Sequence, residues 1–403
     1  MPTRNLIYSQ LNSRSVETKR VQQLGKQLGA ISIARLFLNT GIRVIYPFLP
    51  ALARGLGVGT ADITRLITIR NATGFLSPLF SPLSENYGRK AVMIGAMILF
   101  GGACLLVVFW PGYWVLGITL ALIGLAKVIY DPAMQAHVGD VVPYAQRGKA
   151  IAITEYAWAL ALLLGAPAVG FAIQYWGWQA PFLGLGVLAL GSVILLWRSL
   201  PDVKVYQRIR RSFSDWTRFL RKHPVVFFAV IYTALITLAN EMLFIVFGTW
   251  MENSFELNLA GLGIAAAVIG GAELAGETIA GWSVDRFGKR PVVITTGLLN
   301  AAFYFLLPFS SSSLKLAMIA LFLTFLCFEI TVVGGMPLMT EIVPSARAVV
   351  MSLVVAAAAL GRTLGAFVGI WVWDLAGFKI SGLVWALLMA AAVIILALFI
   401  REG

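Results

Sequence analysis

Apolar stretches of about 20 residues, the length that carries a helix across a hydrocarbon layer, recur along almost the whole of this chain. Twelve are legible, at 28–50, 62–84, 91–110, 114–136, 150–173, 179–197, 224–249, 259–283, 291–310, 315–338, 348–373 and 379–400. The longest interruption, about 25 residues, separates the sixth from the seventh. A water-soluble catalytic domain does not fit between them, so function has to sit within the membrane. Composition agrees: 59 % of the residues are hydrophobic and 12 % charged, against about one-quarter charged in soluble domains. The predicted fold class is an all-α membrane protein with twelve transmembrane helices.

The formal charge of +13 invites nucleic acid as a partner, but the basic residues flank the spans and no base-reading module accompanies them. The lipid bilayer is the expected partner instead. With both termini on the cytoplasmic side, 22 of the 31 Lys and Arg residues fall in inner segments. Three fall in outer loops, Arg54, Lys315 and Lys379, and Arg35, Arg43, Arg65, Arg70, Lys127 and Arg362 lie inside spans. Cytoplasmic loops are enriched in positive charge, and an odd number of spans would spoil the alternation. Trp110, Tyr113, Trp114, Tyr175, Trp176, Trp178 and Trp250 gather at the outer ends, as an interfacial aromatic belt does. Cys104 and Cys327 sit in apolar spans without metal-ligand spacing; no metal or cofactor is expected. Residues 1–27 form a polar, basic tail that lacks the apolar core of a cleaved signal, so the first span is expected to target the chain.

An internal repeat at an offset of 200 divides the chain in two. The loop Ser81-Pro-Leu-Ser-Glu85-Asn-Tyr-Gly88-Arg89-Lys90 is echoed by Gly281-Trp-Ser-Val-Asp285-Arg286-Phe-Gly288-Lys289-Arg290. Acid, aromatic, glycine and basic pair all align. Asp140-Val-Val-Pro143 before Arg147 matches Glu341-Ile-Val-Pro344 before Arg347, and Gly165 and Gly177 fall opposite Gly365 and Gly377. The expected organisation is a tail at 1–27, a six-helix bundle at 28–197, a connector at 198–223 and a second bundle at 224–403. In the connector, Ile209, Phe213, Trp216 and Leu220 recur at helical spacing among Arg208, Arg210, Arg211, Arg218, Arg221 and Lys222. That pattern fits an amphipathic helix on the inner lipid surface; a solvated basic linker fits it too.

At these residues the chain resembles the major facilitator superfamily. That family's loop after the second helix reads Gly, three residues, Asp, Arg or Lys, one residue, Gly, Arg, then Arg or Lys. Gly281–Arg290 fits this pattern well, whereas Ser81, Glu85 and Asn86 depart from it in the first copy. The resemblance implies two six-helix bundles related by a pseudo-twofold axis along the membrane normal, with a central site and alternating access by rocking. It also implies that the loops latch the outward-open state through contacts between the halves. Glu85, Gly88, Arg89, Arg147, Asp285, Arg286, Gly288, Lys289 and Arg347 are then the gating residues, unequal in strength because the first copy is weakened. A carboxylate at a helix end meets cations and helix N-termini favourably, which gives such a latch a physical basis. Gly165-Ala-Pro167-Ala-Val-Gly170 resembles the glycine-proline signature of exporters and antiporters, with Ala166 where that signature has glycine. Close helix packing in lipid accounts for the same residues equally well.

Ionisable side chains at membrane depth are costly and face a cavity or each other. The third, sixth, ninth and twelfth spans carry none, which matches the family's peripheral helices. Lys127, Glu273, Glu329 and Arg362 lie about 13–14 residues from a span end, near mid-membrane; Arg43, Arg70 and Glu241 come out nearer the outer side. Lys127 and Asp131 are four residues apart, as are Glu273 and Glu277, so each pair shares a helical face. The first is a candidate salt bridge. The second places two carboxylates together, which cannot both stay ionised cheaply, and so marks a proton carrier: Glu273, with Glu329 or Glu241. In the competing arrangement these acids are permanently paired with Arg362, Lys127 or Arg70.

The spans of the first half hold Arg35, Arg43, Arg70 and Lys127 against Asp131 and Glu155, while those of the second hold Arg362 against Glu241, Glu273, Glu277 and Glu329. Three arrangements fit these opposite signs: an organic anion or amphipathic zwitterion on the basic wall, a lipophilic cation on the acidic one, or the walls pairing with each other when empty. Asn39 and Asn71 fit either substrate contact or helix packing, and His137 fits a local hydrogen-bonding role.

The expected function is secondary active transport of a small organic solute by proton-coupled efflux, in a monomer of a bacterial cytoplasmic (inner) membrane with both termini cytoplasmic. A proton gradient, rather than a cofactor, is the expected drive: no Gly-x-x-x-x-Gly-Lys loop is present for ATP. Uptake or exchange of an organic anion or amphipathic lipid is the alternative within transport, and a non-transporting membrane sensor the alternative outside it. An enzyme is not expected, because no nucleophile and base pair outranks the cavity charges.

Overall fold

A computed structural model describes residues 3–80, 83–143, 146–202, 223–343 and 346–400, with side chains from residue 22 onward except at 78, 148 and 348. Most of the basic connector lies outside the described residues. The first half contains α1 (Thr3–Arg43), α2 (Leu49–Leu56), α3 (Thr60–Ala72), α4 (Ser77–Phe80), α5 (Leu83–Tyr87), α6 (Arg89–Phe109), α7 (Tyr113–Val141), α8 (Arg147–Leu160), α9 (Ala166–Trp176) and α10 (Ala180–Ser199). The second contains α11 (Pro224–Phe255), α12 (Leu259–Phe287), α13 (Lys289–Leu306), α14 (Leu314–Glu341) and α15 (Arg347–Phe399).

Lipid offers no partner to a backbone amide, so each crossing satisfies its own hydrogen bonds as a helix. Among the described residues, nine helices are long and apolar enough to cross a membrane. Elsewhere the expected spans are broken. The first ends at Arg43, turns through Val44–Phe48 and resumes as α2; the second runs through α3, a 3₁₀ turn at Thr73–Leu76, and α4. The last two are joined as α15 and separated by Gly377, which is non-helical with φ 71°. The helix of the first span starts at Thr3, inside the segment expected as a tail. That segment is rich in Gln, Arg, Leu and Lys and has no proline after residue 2, a composition that sustains a helix.

The internal repeat is visible in the backbone. Gly88 and Gly288 precede α6 and α13 with φ 87° and 86°, and Gly177 and Gly377 have φ 85° and 71°. Residues carrying a Cβ rarely adopt that region, so the offset of 200 preserves turn geometry as well as sequence. Pro167 lacks an N–H, and its ring crowds the carbonyl four residues earlier. The turn before it, Ala161–Gly165, is a wide π turn, a common accommodation in helices at functional positions.

The halves meet along a seam of small residues. α1 and α11 run in parallel toward the end marked by Arg54 and Glu252, the distal end, where these two side chains pair at 2.7 and 2.8 Å. α12 runs antiparallel to α8 and α9, with Gly270 against the Leu163 backbone, Gly263 against Ala166 and Gly170 against Leu259. A Cβ at Gly263 would come 2.6 Å from the Ala166 carbonyl oxygen. Gln174 closes the seam by accepting the Ala260 amide at 3.1 Å. Helices in lipid associate through such close approach rather than by expelling water, and the distal end is shut.

Gly270→Ala should therefore pry the seam apart. A single cysteine at position 173, where Ile173 is buried, with Cys104 and Cys327 replaced by serine, should react with an impermeant maleimide severalfold faster in that variant. Gly271→Ala, whose Cβ would meet only the Leu163 Cδ1 atom at 3.9 Å, should leave the rate unchanged.

Candidate functional site

Arg43 is the last residue of α1, and the turn that follows leaves its side chain between the halves. Its guanidinium grips Glu273 of α12 with both nitrogens, at 2.5 and 2.6 Å. It also donates to the Trp158 carbonyl oxygen at 2.8 Å and lies over the Trp158 ring, 4.3 Å from its centre. Both charged side chains are only 2 % exposed. Removing two charges from water is expensive, and the bidentate pairing together with the Trp158 carbonyl acceptor offsets part of that cost. The sequence offered Arg362, Lys127 or Arg70 as partners for Glu273; the structure pairs it with Arg43.

A second tie lies one layer further along. Arg70 donates to the Tyr46 hydroxyl at 2.5 Å and to the Asn71 side-chain oxygen at 2.9 Å. Tyr46 and Asn71 in turn donate to the same oxygen of Glu241, at 2.6 and 2.8 Å. Arg70 and Glu241 thus face each other through two neutral bridges rather than in direct contact. Tyr46 and Trp158 are the residues that a search for charges misses. Trp158 had a signal, since it lies deep in a span rather than at the interface where such rings usually sit.

The first half matches its remaining charges internally. Lys127 pairs with Asp131 at 2.8 Å and donates to Asn39 at 2.7 Å. Arg35 reaches Asp131 at 3.2 Å and Glu155 at 3.0 Å. Glu277 and Glu329 are different. Glu329 is 7 % exposed and has no hydrogen bond or ion pair among the described residues, and the Oε2 atom of Glu277 is enclosed without a partner. Arg362 of α15 is exposed, forms no ion pair among the described residues, and lies 5.7 Å from the centre of the Trp158 ring.

The loop residues are held within their own halves. Arg89 pairs with Asp140 at 3.2 Å and donates to Ser84 at 2.6 Å. Lys289 grips both oxygens of Glu341 at 2.5 and 2.6 Å, and Arg147 donates to the Val142 carbonyl at 3.0 Å. Gly88 and Gly288 supply the positive-φ turns. Glu85, Asp285 and Arg347 form no ion pair among the described residues, and Arg286 lies over Trp282 and Phe287.

Truncating one member of the central pair strands the other, so Arg43→Gln should destabilise the protein by about 3–5 kcal/mol. Changing Glu273→Gln in the same chain should restore most of that loss. A double-mutant cycle by unfolding in detergent measures the coupling; strictly additive losses would contradict it.

Comparison with known proteins adds the family. The model of the Major Facilitator Superfamily matches residues 31–240 and 230–403. The chain is 26 % identical over 331 residues to the uncharacterized MFS-type transporter YceJ of Bacillus subtilis (strain 168), covering 81 % of this chain and 84 % of that one. The inward-open xylose transporter XylE from E. coli superposes with a TM-score of 0.77 at 15 % identity, covering 94 % of this chain and 97 % of that one. A bacterial homologue of the human lysosomal transporter Spinster, inward-facing and occupied, gives 0.76 at 14 % identity, covering 93 % and 96 %. These two likenesses establish the shared fold, and the family match extends along nearly the whole sequence. This multi-pass membrane protein is a transporter, not an enzyme, and belongs to the Major Facilitator Superfamily.

Proposed function

We propose that this chain exports a small organic solute in exchange for protons, with Glu273 linking the proton step to the rocking of the halves. The observation that carries this reading is the enclosed Arg43–Glu273 pair, one partner from each half. When the distal end opens, Arg43 and Glu273 are drawn apart, leaving a carboxylate in a low-dielectric site. A proton neutralises it at far lower cost than burial of the bare charge. On closing, Arg43 returns and displaces the proton, and Glu329 and Glu277, without cationic contacts of their own, are the next carboxyls available on that wall.

Sidedness follows from the distribution of Lys and Arg, which assigns the distal end to the outside. Protons then enter from outside and leave inside while solute travels outward. The inward-facing states of the two structures described above are in keeping with a shut distal end. The resemblance of Gly165-Ala-Pro167 to the exporter signature supports the export direction, while its contacts with α12 are those of close packing.

Proteoliposomes carrying a pH-sensitive dye test the proposal. Glu273→Gln should bring solute-linked proton movement to background while retaining solute exchange down a gradient. Unchanged proton coupling in that variant would overturn the assignment.

A further inference from the structure

The internal matching of charges leaves three groups over. Asp131 and Glu155 answer Arg35 and Lys127, Glu273 answers Arg43, and Glu241 faces Arg70 through Tyr46 and Asn71. Among the described residues, Arg362, Glu277 and Glu329 form no side-chain hydrogen bond or ion pair, and Arg362 acts on Glu241 only through space. A guanidinium stays charged under all ordinary conditions, and an exposed one at membrane depth is tenable only where it opens onto water. Because Arg362 of the second half sits by the Trp158 ring of the first, that water-filled space lies between the halves.

Trp158 is half-buried and already surrounded by cations: Arg43 at 4.3 Å, Lys127 at 5.2 Å and Arg362 at 5.7 Å from the ring centre. A further cation on this ring would meet three like charges. A flat, uncharged body suits it, and a planar acid group matches the two-pronged guanidinium of Arg362. In the same half as Arg362 and across the interface from Trp158, Glu277 of α12 lies one helical turn from Glu273, about 5–6 Å along the axis. The charges acting on Glu277 are those of Glu273, Glu155, Arg43 and Arg35, and those acting on Glu329 are Glu273, Glu277, Arg43 and Glu155. Two acids and two cations thus act on Glu277, while three acids and one cation act on Glu329.

From this arrangement of one unmatched cation, one aromatic face and two unmatched carboxyls, we infer that the transported solute is a zwitterion with its charges at opposite ends of a flat apolar body. Its acid end lies on Arg362, its body on Trp158, and its ammonium end on Glu277 and Glu329. The inference rests on the exchange reading above and gives it a chemical basis, since ammonium and proton compete for the same two carboxyls. No bond is made or broken; each ammonium that arrives releases protons held there.

Matched naphthalene probes test this with the purified full-length chain. They are 6-(aminomethyl)-2-naphthoate as zwitterion, 2-naphthoate as anion, 2-naphthylmethylammonium as cation and 2-naphthalenemethanol as neutral body. In titration calorimetry run in two buffers of different ionisation enthalpy, the zwitterion should bind most tightly and release protons. Arg362→Gln should weaken it about tenfold, the loss expected for one charge-assisted hydrogen-bonded contact, while Arg362→Lys should lose less. Glu277→Gln should weaken the zwitterion and leave the anion unaffected, and Trp158→Leu should weaken all four alike. Equal or tighter binding of a singly charged or neutral probe, an unchanged affinity in Arg362→Gln, or no binding of any probe would overturn the inference. If Arg362→Gln does not fold, the order of the four probes on the unaltered chain decides alone. Failure of the exchange reading has another signature: the zwitterion binds through Arg362 and Glu277, but no protons are released on binding or move in vesicles.

Discussion

A buried ion pair that joins two mobile halves constrains everything around it. Arg43 and Glu273 are held by bidentate contact with almost no exposure to water, and a single charge at the centre of a bilayer costs at least about 2.5–3.5 kcal/mol. Neither member can be left bare, so the halves cannot separate at this level unless another charge takes the vacated place. The glycine seam of α12 against α8 and α9 brings the backbones close enough for the pair to form. The break in the first span after Arg43 gives the side chain room to turn across the interface. The Trp158 carbonyl then takes one donor that Glu273 does not fully occupy.

Much of the scaffold was legible because a bilayer simplifies folding. Where water is absent, the length of an apolar run is nearly sufficient to define a helix, and the repeat at 200 identified the two halves from the matched loops at 81–90 and 281–290, the acids Asp140 and Glu341, and the paired glycines. The broken helices do not show in apolar length, because the run continues through Val44–Phe48 while the helix does not; Pro47 is the local signal of the break. That break also explains why the partner of Glu273 was missed. Counting residues to the end of a continuous span puts Arg43 nearer the outer side, whereas the helix stops at that residue and its guanidinium reaches the level of Glu273. Tyr46 was invisible for another reason: it is neutral, and its role appears only when Arg70 and Glu241 are found on either side of it.

The repeated loops illustrate how a duplicated scaffold diverges without losing its geometry. In both halves a basic residue after the glycine reaches an acid at a helix end, Arg89 to Asp140 of α7 and Lys289 to Glu341 of α14. The first copy supplements this with Ser84, whereas the second places one ammonium against both carboxylate oxygens. Arg is a rigid fork and Lys a compact point charge, so equivalent positions hold their helices by different means. With the distal end shut, these contacts brace each half internally.

The charged side chains within the two halves carry opposite net signs, and the proposed exchange depends on how incompletely they cancel. Full cancellation would lock the halves together and leave nothing for a solute to engage; no cancellation would make the empty cavity prohibitively costly. The structure lies between these limits, with Arg43 and Glu273 providing closure while Arg362, Glu277 and Glu329 are left over. An exchanger needs solute and proton to exclude one another at a shared group while the closing contact stays separate. Otherwise either ligand would stabilise the closed state by itself and uncoupled leak would follow. In the proposed exchange, placing the closing pair one helical turn from Glu277, with Glu329 on the separate helix α14, meets that requirement: Glu273 follows the position of the halves, and the other two carboxyls follow what lies between them.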